Sequence, residues 1–200
     1  MVRDHLTWHG GDIGYGDRCR LLGQRGAVLW LVGLSGSGKS TVAVETEKRL
    51  TAMGRLCYRL DGDNVRCGLN SDLGFSPEER NENIRRVAHV ASLMRDAGLI
   101  VLVSFITPYA ELRRMAAEII GEEYFHEVYV QADLDTCMRR DPKGLYAKAQ
   151  KGEIADFTGV SAPFEAPERP ALTLDTARCG IEESSGQLLA YLSECGIIHP

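Results

Sequence analysis

Ala27-Val28-Leu29-Trp30-Leu31-Val32-Gly33-Leu34-Ser35-Gly36-Ser37-Gly38-Lys39-Ser40-Thr41 opens on six apolar residues and closes on a glycine-rich loop. The apolar run has the length and continuity of a strand buried on both faces. Gly33 to Ser40 satisfies G-x-x-x-x-G-K-[ST] in full, directly after that strand and before an amphipathic run. The residue types explain themselves chemically. Glycines let the backbone curl so that successive N–H groups converge on an anion, and a helix N-terminus adds its positive end. Lys39 supplies a point charge to the β- and γ-phosphates, and the Ser40 hydroxyl suits Mg²⁺. Gly33, Leu34, Ser35, Gly36, Ser37, Gly38, Lys39, Ser40 and Thr41 are therefore the expected contacts to a nucleoside triphosphate.

Outward from this loop, short apolar runs alternate with longer amphipathic ones, the pattern of βαβ units and a parallel sheet. Thr41 to Met53 reads as a helix ended by Gly54. Leu56–Leu60, Ile100–Ser104, Val128–Val130 and Leu172–Leu174 read as further strands, five in all. Ser76, Pro77 and Glu79 form a helix-start signature, with a helix running to about Ala97 and stopped by Gly98. The expectation is an α/β phosphate-loop fold: a five-stranded, mostly parallel sheet with helices on both faces. Residues 1–26 read as an N-terminal extension and 27–200 as the domain. Asp141 to Arg169 is charged, rich in breakers and without a core signature, which reads as a functional lid or a disordered segment.

Composition narrows the partners. The 200 residues carry 23 Lys+Arg against 28 Asp+Glu, a formal net charge of −5. An acidic chain is poorly suited to nonspecific binding of nucleic acid or anionic membrane. Met1 to Leu6 holds no apolar stretch of secretory type, and no apolar run approaches the ~20 residues of a membrane span. The six cysteines form no C-x-x-C pair. The expected setting is the cytoplasm, with reduced thiols and no zinc site.

Two further constellations bear chemistry. Asp61-Gly62-Asp63-Asn64 follows the second strand, and the carboxyl ends of strands in an open α/β sheet face the ligand crevice. One carboxylate can orient Mg²⁺ or its waters while the other accepts a proton from an attacking hydroxyl. A plain polar turn would carry the same residues. Arg66 lies just beyond, and Arg80 and Asn83 share a face in the first turns of the capped helix. That face suits a second anionic ligand, or a solvated basic surface paired with Glu78, Glu79 and Glu82.

Asp61 to Arg66, Gly68-Leu69-Asn70, Asp72 to Ser76 and Arg80 to Arg86 resemble the adenylylsulfate kinase (APS kinase) family. So do Ser104 to Tyr109, Arg140 to Tyr146 and Phe157-Thr158-Gly159, while Trp8-His9 and Leu22 to Gly26 are similar to the family's lead-in. The resemblance spans about Leu6 to about Leu174. It implies transfer of the γ-phosphoryl group of ATP to the 3′-hydroxyl of adenosine 5′-phosphosulfate (APS), giving 3′-phosphoadenosine 5′-phosphosulfate (PAPS) in sulfate activation.

Within that resemblance Asp63 is the expected acceptor of the hydroxyl proton, with Asp61 and Ser40 supporting Mg²⁺ partly through water and Lys39 completing the catalytic set. Asp63, Asn64, Val65, Arg66, Arg80, Asn83, Ile106, Thr107 and Lys143 are the implied APS contacts, with Phe75 and Phe157 sandwiching its adenine. Closure of the lid would exclude water from the transfer. A homodimer and an association with ATP sulfurylase are the implied partners.

Several residues depart from the family's pattern. Thr107 stands where serine is common, a position considered a phosphoacceptor in some members; direct in-line transfer makes no use of it. Cys67 replaces a larger residue and reads as buried filler. Gln150 and Ser161-Ala162-Pro163-Phe164 alter the lid. A kinase of another small metabolite would need only the loop and the aspartates. An inactive nucleotide-sensing domain would not need Lys39, Ser40, Asp61 and Asp63 together.

Overall fold

A computed structural model describes residue 7 and residues 9–199. Met1 to Leu6 and Trp8 of the lead-in lie outside the described residues. Strand β1 (Ala27–Val32) occupies the middle of a five-stranded sheet, with β3 (Ile100–Ser104) and β4 (Phe125–Gln131) on either side. Strands β2 (Cys57–Asp61) and β5 (Leu172–Asp175) form the edges, and all four pairings are parallel. Trp30 stands opposite Val103 on one neighbour and Glu127 on the other. With every strand running one way, Val32, Asp61, Ser104, Gln131 and Asp175 all end on the same side of the sheet. That side carries the site.

The continuous apolar strands are explained by what covers them. Helices α2 (Lys39–Ala52) and α8 (Ile181–Glu194) close one face, packing Val42, Leu50, Leu188 and Leu192 on Leu29, Leu31, Leu102 and Leu174. Helices α4 (Pro77–Asp96) and α5 (Ala110–Ile120) close the other, packing Ile84, Val87, Leu112 and Ile120 on Val28, Trp30, Val101 and Val103. Each of these fully buried aliphatic side chains contributes ~1.5–3 kcal/mol. The start of α4 matches its sequence signature. Ser76 Oγ accepts from the Glu79 N–H at 3.2 Å and Glu79 Oε2 accepts from the Ser76 N–H at 3.0 Å. Glu79 Oε1 also accepts from the Gly74 N–H at 2.8 Å, and this bond, with that from Ser76, holds its carboxyl below the usual range.

The N-terminal segment contains helix α1 (Tyr15–Leu22), docked at the end of the sheet away from the phosphate loop. Arg18 pairs with Asp96 at 2.8 Å, and the Tyr15 hydroxyl donates to the Gly26 carbonyl at 3.0 Å. The buried Gln24 amide donates to the Leu56 and Gly98 carbonyls at 2.7 and 2.9 Å and accepts from the Leu56 N–H at 2.8 Å. One side chain thereby ties the lead-in to the starts of two strands.

The 141–169 stretch departs from a coreless segment. Helices α6 (Leu134–Arg140) and α7 (Leu145–Gln150) flank its start, and Tyr146 and Phe157 are buried with Ala132 and Cys137 in a third, small core. Leu145, Tyr146, Ile154 and Phe157 follow no single period, so only the folded path brings them together. Cys67 is exposed, not buried filler. Among the described residues no helix is long and apolar enough to cross a membrane.

Candidate active site

The phosphate loop joins β1 to α2 through positions that only glycine fits. A Cβ on Gly33 would stand 2.5 Å from the Val130 carbonyl oxygen, and one on Gly36 would stand 2.9 Å from that of Cys137. Gly36 also has φ of 77°, in the left-handed region. Close packing against β4 and α6 therefore shapes the loop as much as its own flexibility does.

Five successive loop carbonyls are held by side chains. Lys39 Nζ donates to Gly33 at 2.9 Å and Leu34 at 2.7 Å, and the Tyr146 hydroxyl donates to Ser35 at 2.9 Å. Arg140 donates to Gly36 at 3.3 Å, and the Thr176 hydroxyl donates to Ser37 at 2.6 Å. The Ser35, Gly36 and Ser37 carbonyls, tied by residues outside the loop, are held back from a bound anion, so the loop presents N–H groups there instead. Arg140 also donates to the Thr176 carbonyl, which braces the pair. Burial lowers the Lys39 ammonium to about 8, the nearby Cys137, Asp61 and Asp63 pulling it partly back.

The aspartates divide. Asp61 ends β2 and caps the short helix α3 (Gly62–Arg66), its Oδ1 accepting from the Asp63 N–H at 3.1 Å. Its other oxygen accepts from the Ser40 hydroxyl at 2.6 Å. Asp63 is exposed and forms an ion pair with Lys143 of the 141–169 stretch. One carboxylate thus belongs to the phosphate loop and the other pairs with the 141–169 stretch. The Ser40 and Asp61 oxygens form a hard, all-oxygen donor pair, the chemistry Mg²⁺ takes when it keeps waters and substrate phosphates as its other ligands.

Beyond the aspartates, Arg66 lies over the Phe75 ring with its guanidinium carbon 4.4 Å from the centroid, and Arg80 flanks the same ring at 5.8 Å. Arg66 also donates to the Leu73 and Gly74 carbonyls at 3.0 and 2.8 Å. Arg80 donates to the Phe75 carbonyl at 2.8 Å and the Asp156 carbonyl at 3.2 Å, so one guanidinium joins the neighbourhoods of Phe75 and Phe157. The two rings sit differently. Phe75 is 66% exposed, whereas Phe157 is 8% exposed and meets Tyr146 edge-on, with centroids 5.0 Å apart. Arg85 and Arg86 instead pair with Glu82, and Arg86 also with Asp72, which makes them the solvated ionic face. Asn64 lies exposed on α3 beside the partly buried Val65. Asn83 is 4% exposed and accepts from the Asn70 amide at 2.9 Å.

Ile106 and Thr107 follow β3 on the same side of the sheet. The Ile106 carbonyl accepts from the Gly33 N–H at 3.5 Å. Thr107 has φ of 42° and is 2% exposed, and its hydroxyl accepts from the Trp30 indole N–H at 3.0 Å. Its carbonyl accepts from Arg113, whose guanidinium also pairs with Glu127 at 2.6 Å. Burial pushes the Glu127 carboxyl up against that pairing.

Tyr146, Arg140, Thr176 and Arg113 had no role in the sequence reading. Thr176 directly follows β5, a strand end where crevice residues are expected. Arg140 and Tyr146 lie in a block that resembles the family, yet nothing in their spacing points at loop carbonyls.

A parallel sheet, a phosphate loop and paired aspartates at one strand edge define a phosphate-loop phosphotransferase. The adenylylsulphate kinase family profile matches residues 25–175, and the chain belongs to that family. An adenylyl-sulfate kinase of Phocaeicola vulgatus is 59% identical over 173 residues, 86% of this chain and 85% of that one. A bifunctional enzyme, NodQ, of a Rhizobium species is 53% identical over 98% of this chain and 30% of its own length. The solved APS kinase of Mycobacterium tuberculosis, in complex with AMPPNP and APS, is 47% identical with a TM-score of 0.82. That likeness covers 85% of this chain and 99% of that one.

Proposed function

We propose that this chain transfers the γ-phosphoryl group of ATP to the 3′-hydroxyl of APS, giving PAPS and ADP. One observation carries the reading at the level of residues: Arg80 bonds both the Phe75 and Asp156 carbonyls, and Arg66, stacked on Phe75, lies within reach of the Asp63 charge, which supports an aromatic acceptor site beside Asp63. ATP lies on the loop, with Lys39 leaving the Gly33 and Leu34 carbonyls for the phosphate oxygens. Ser40 and Asp61 would hold Mg²⁺, which when bound offsets charge on the phosphates. The APS adenine lies between Phe75 and Phe157, Arg66 and Arg80 face its phosphosulfate, and Ile106 and Thr107 back the ribose. Asn64, Val65 and Asn83 complete the wall.

Asp63 accepts the proton of the 3′-hydroxyl as its oxygen attacks the γ-phosphorus. The bond to the bridging oxygen of ADP breaks, and its electrons leave with ADP. Lys143 changes partner from Asp63 to the phosphosulfate as APS enters. Positioning and charge neutralisation then supply most of the acceleration. The 141–169 lid keeps water from taking the phosphoryl group.

A kinase for another small metabolite would use the loop and aspartates but leaves the Phe75, Arg80 and Phe157 arrangement unexplained. Purified protein with Mg·ATP and a panel of APS, gluconate and nucleoside monophosphates separates the readings. Turnover with APS no more efficient than with the others would overturn the assignment. We infer further that the enzyme is a cytoplasmic homodimer that associates with ATP sulfurylase, the activity that makes its acceptor. The bifunctional relative, which this chain matches over 30% of its length, supports a second activity joined to this one. Light scattering and co-purification test these two points.

A further inference from the structure

The loop carbonyls are tied from two sides. Lys39 belongs to the loop itself, while Arg140 and Thr176 reach it from the end of α6 and from beyond β5. Tyr146 is different, because it lies in the lid. Its ring is 2% exposed and its hydroxyl donates to the Ser35 carbonyl at 2.9 Å. The two rings of Tyr146 and Phe157 meet edge-on, with centroids 5.0 Å apart and an interplanar angle of 84°. Asp141 fixes the start of α7 around it, its two carboxylate oxygens accepting from the Tyr146 and Ala147 N–H groups at 3.2 Å each. Leu34 packs in the same small core, and a Cβ on Gly159 would stand 2.9 Å from its methyl.

We propose that Tyr146 is a positioning residue that couples the acceptor site to the nucleotide loop, so that each substrate raises the affinity for the other. The proposal rests on the APS kinase reading, in which Phe157 stacks on the acceptor's adenine. An acceptor stacked on Phe157 holds that ring against Tyr146, and the Tyr146 hydroxyl holds Ser35 with the loop N–H groups aimed at the phosphates. The two substrates are thereby linked through one ring and one hydrogen bond, and such linkage is reciprocal. Tyr146 touches neither reacting atom.

Tyr146→Phe tests this, because it keeps the ring against Phe157 and deletes only the hydroxyl. Calorimetry gives the APS dissociation constant with and without saturating AMPPNP, and the ratio is the coupling factor. The parent enzyme is expected to show a factor of about ten, and Tyr146→Phe is expected to lower it about three- to tenfold, the range of one net hydrogen bond. APS affinity without nucleotide should stay within about twofold. Tyr191→Phe is the control: its hydroxyl bonds His126 Nδ1 at 2.7 Å at the far end of β4, and it should leave the factor unchanged. A factor of one in the parent, or one that Tyr146→Phe leaves unaltered, overturns the proposal. Failure of the parent to phosphorylate APS overturns the functional reading, and the proposal with it.

Discussion

Replacing Gly36 with alanine probes the contact that shapes the phosphate loop. Its φ of 77° lies where an L side chain is disfavoured by ~1–2 kcal/mol. The new Cβ would also stand 2.9 Å from the Cys137 carbonyl oxygen, a backbone atom that cannot rotate away. Restoring an ordinary separation near 3.4 Å requires loop and α6 to part by about 0.5 Å, with an overpacking cost of ~1–3 kcal/mol. The expected loss is therefore about 2–5 kcal/mol, or roughly 4–20 °C in Tm for a chain of this size. Because a shift on the order of 1 Å can remove 100-fold in rate, kcat/KM should fall about 10- to 100-fold. Gly54→Ala isolates the cause. Gly54 has a similar φ of 70° but open space around its Cβ, so it bears only the conformational part. It should lose roughly 2–8 °C and keep its activity within about twofold. Thermal melts and steady-state assays of both variants decide the matter. If the two variants match in Tm and in kcat/KM, the contact with Cys137 does not shape the loop.

Asp63→Ala should lower kcat about 10²- to 10⁴-fold while AMPPNP affinity by calorimetry stays within about twofold; unchanged turnover would show that another group takes the proton. Phe75→Ala should raise the APS KM with little change in Tm, since the ring is largely exposed, whereas Phe157→Ala should also lower Tm by breaking the Tyr146 contact. Equal Tm losses in the two would contradict the different settings of the rings. With Lys39 at about 8, below its unfolded value of 10.5, the free protein bears the burial cost in full below pH 8 and is relieved of it as pH rises toward 10.5. Phosphates favour the charged ammonium, so ATP binding at pH 8 should take up about half a proton, read from calorimetry in buffers of different ionisation enthalpy and lost in Lys39→Met. Thr107→Ala should leave the buried Trp30 N–H without its acceptor at a cost of ~1–3 kcal/mol yet retain turnover, and Thr107→Ser should preserve both; abolished turnover in Thr107→Ala at full nucleotide affinity would restore a phosphoacceptor role.

Much of this molecule was legible before folding was considered. The run from Ala27 to Thr41 carried strand, loop and helix because each is a local pattern: continuous apolar residues, glycines at fixed offsets, and a helix start. The Ser76–Glu79 box was legible for the same reason, its bonds closing within three residues. Helix α1 escaped notice because Gln24, Arg18 and Tyr15 find their partners 11 to 78 residues away. The small core of the 141–169 stretch escaped because Tyr146 and Phe157 share no period.

Residue types near the site were legible, but their division of labour was not. Arg80 and Arg85 look alike along α4, yet one bridges the Phe75 and Asp156 carbonyls while the other pairs with Glu82. The two aspartates could not be told apart by spacing, and only the turn into α3 sends Asp61 to Ser40 and Asp63 to Lys143. The sequence by itself determined the phosphate loop, the parallel sheet and the family, because those signals are written in neighbouring residues. Only the tertiary structure decided which side chains hold the loop's carbonyls, because Tyr146, Arg140 and Thr176 lie more than a hundred residues from the groups they bond.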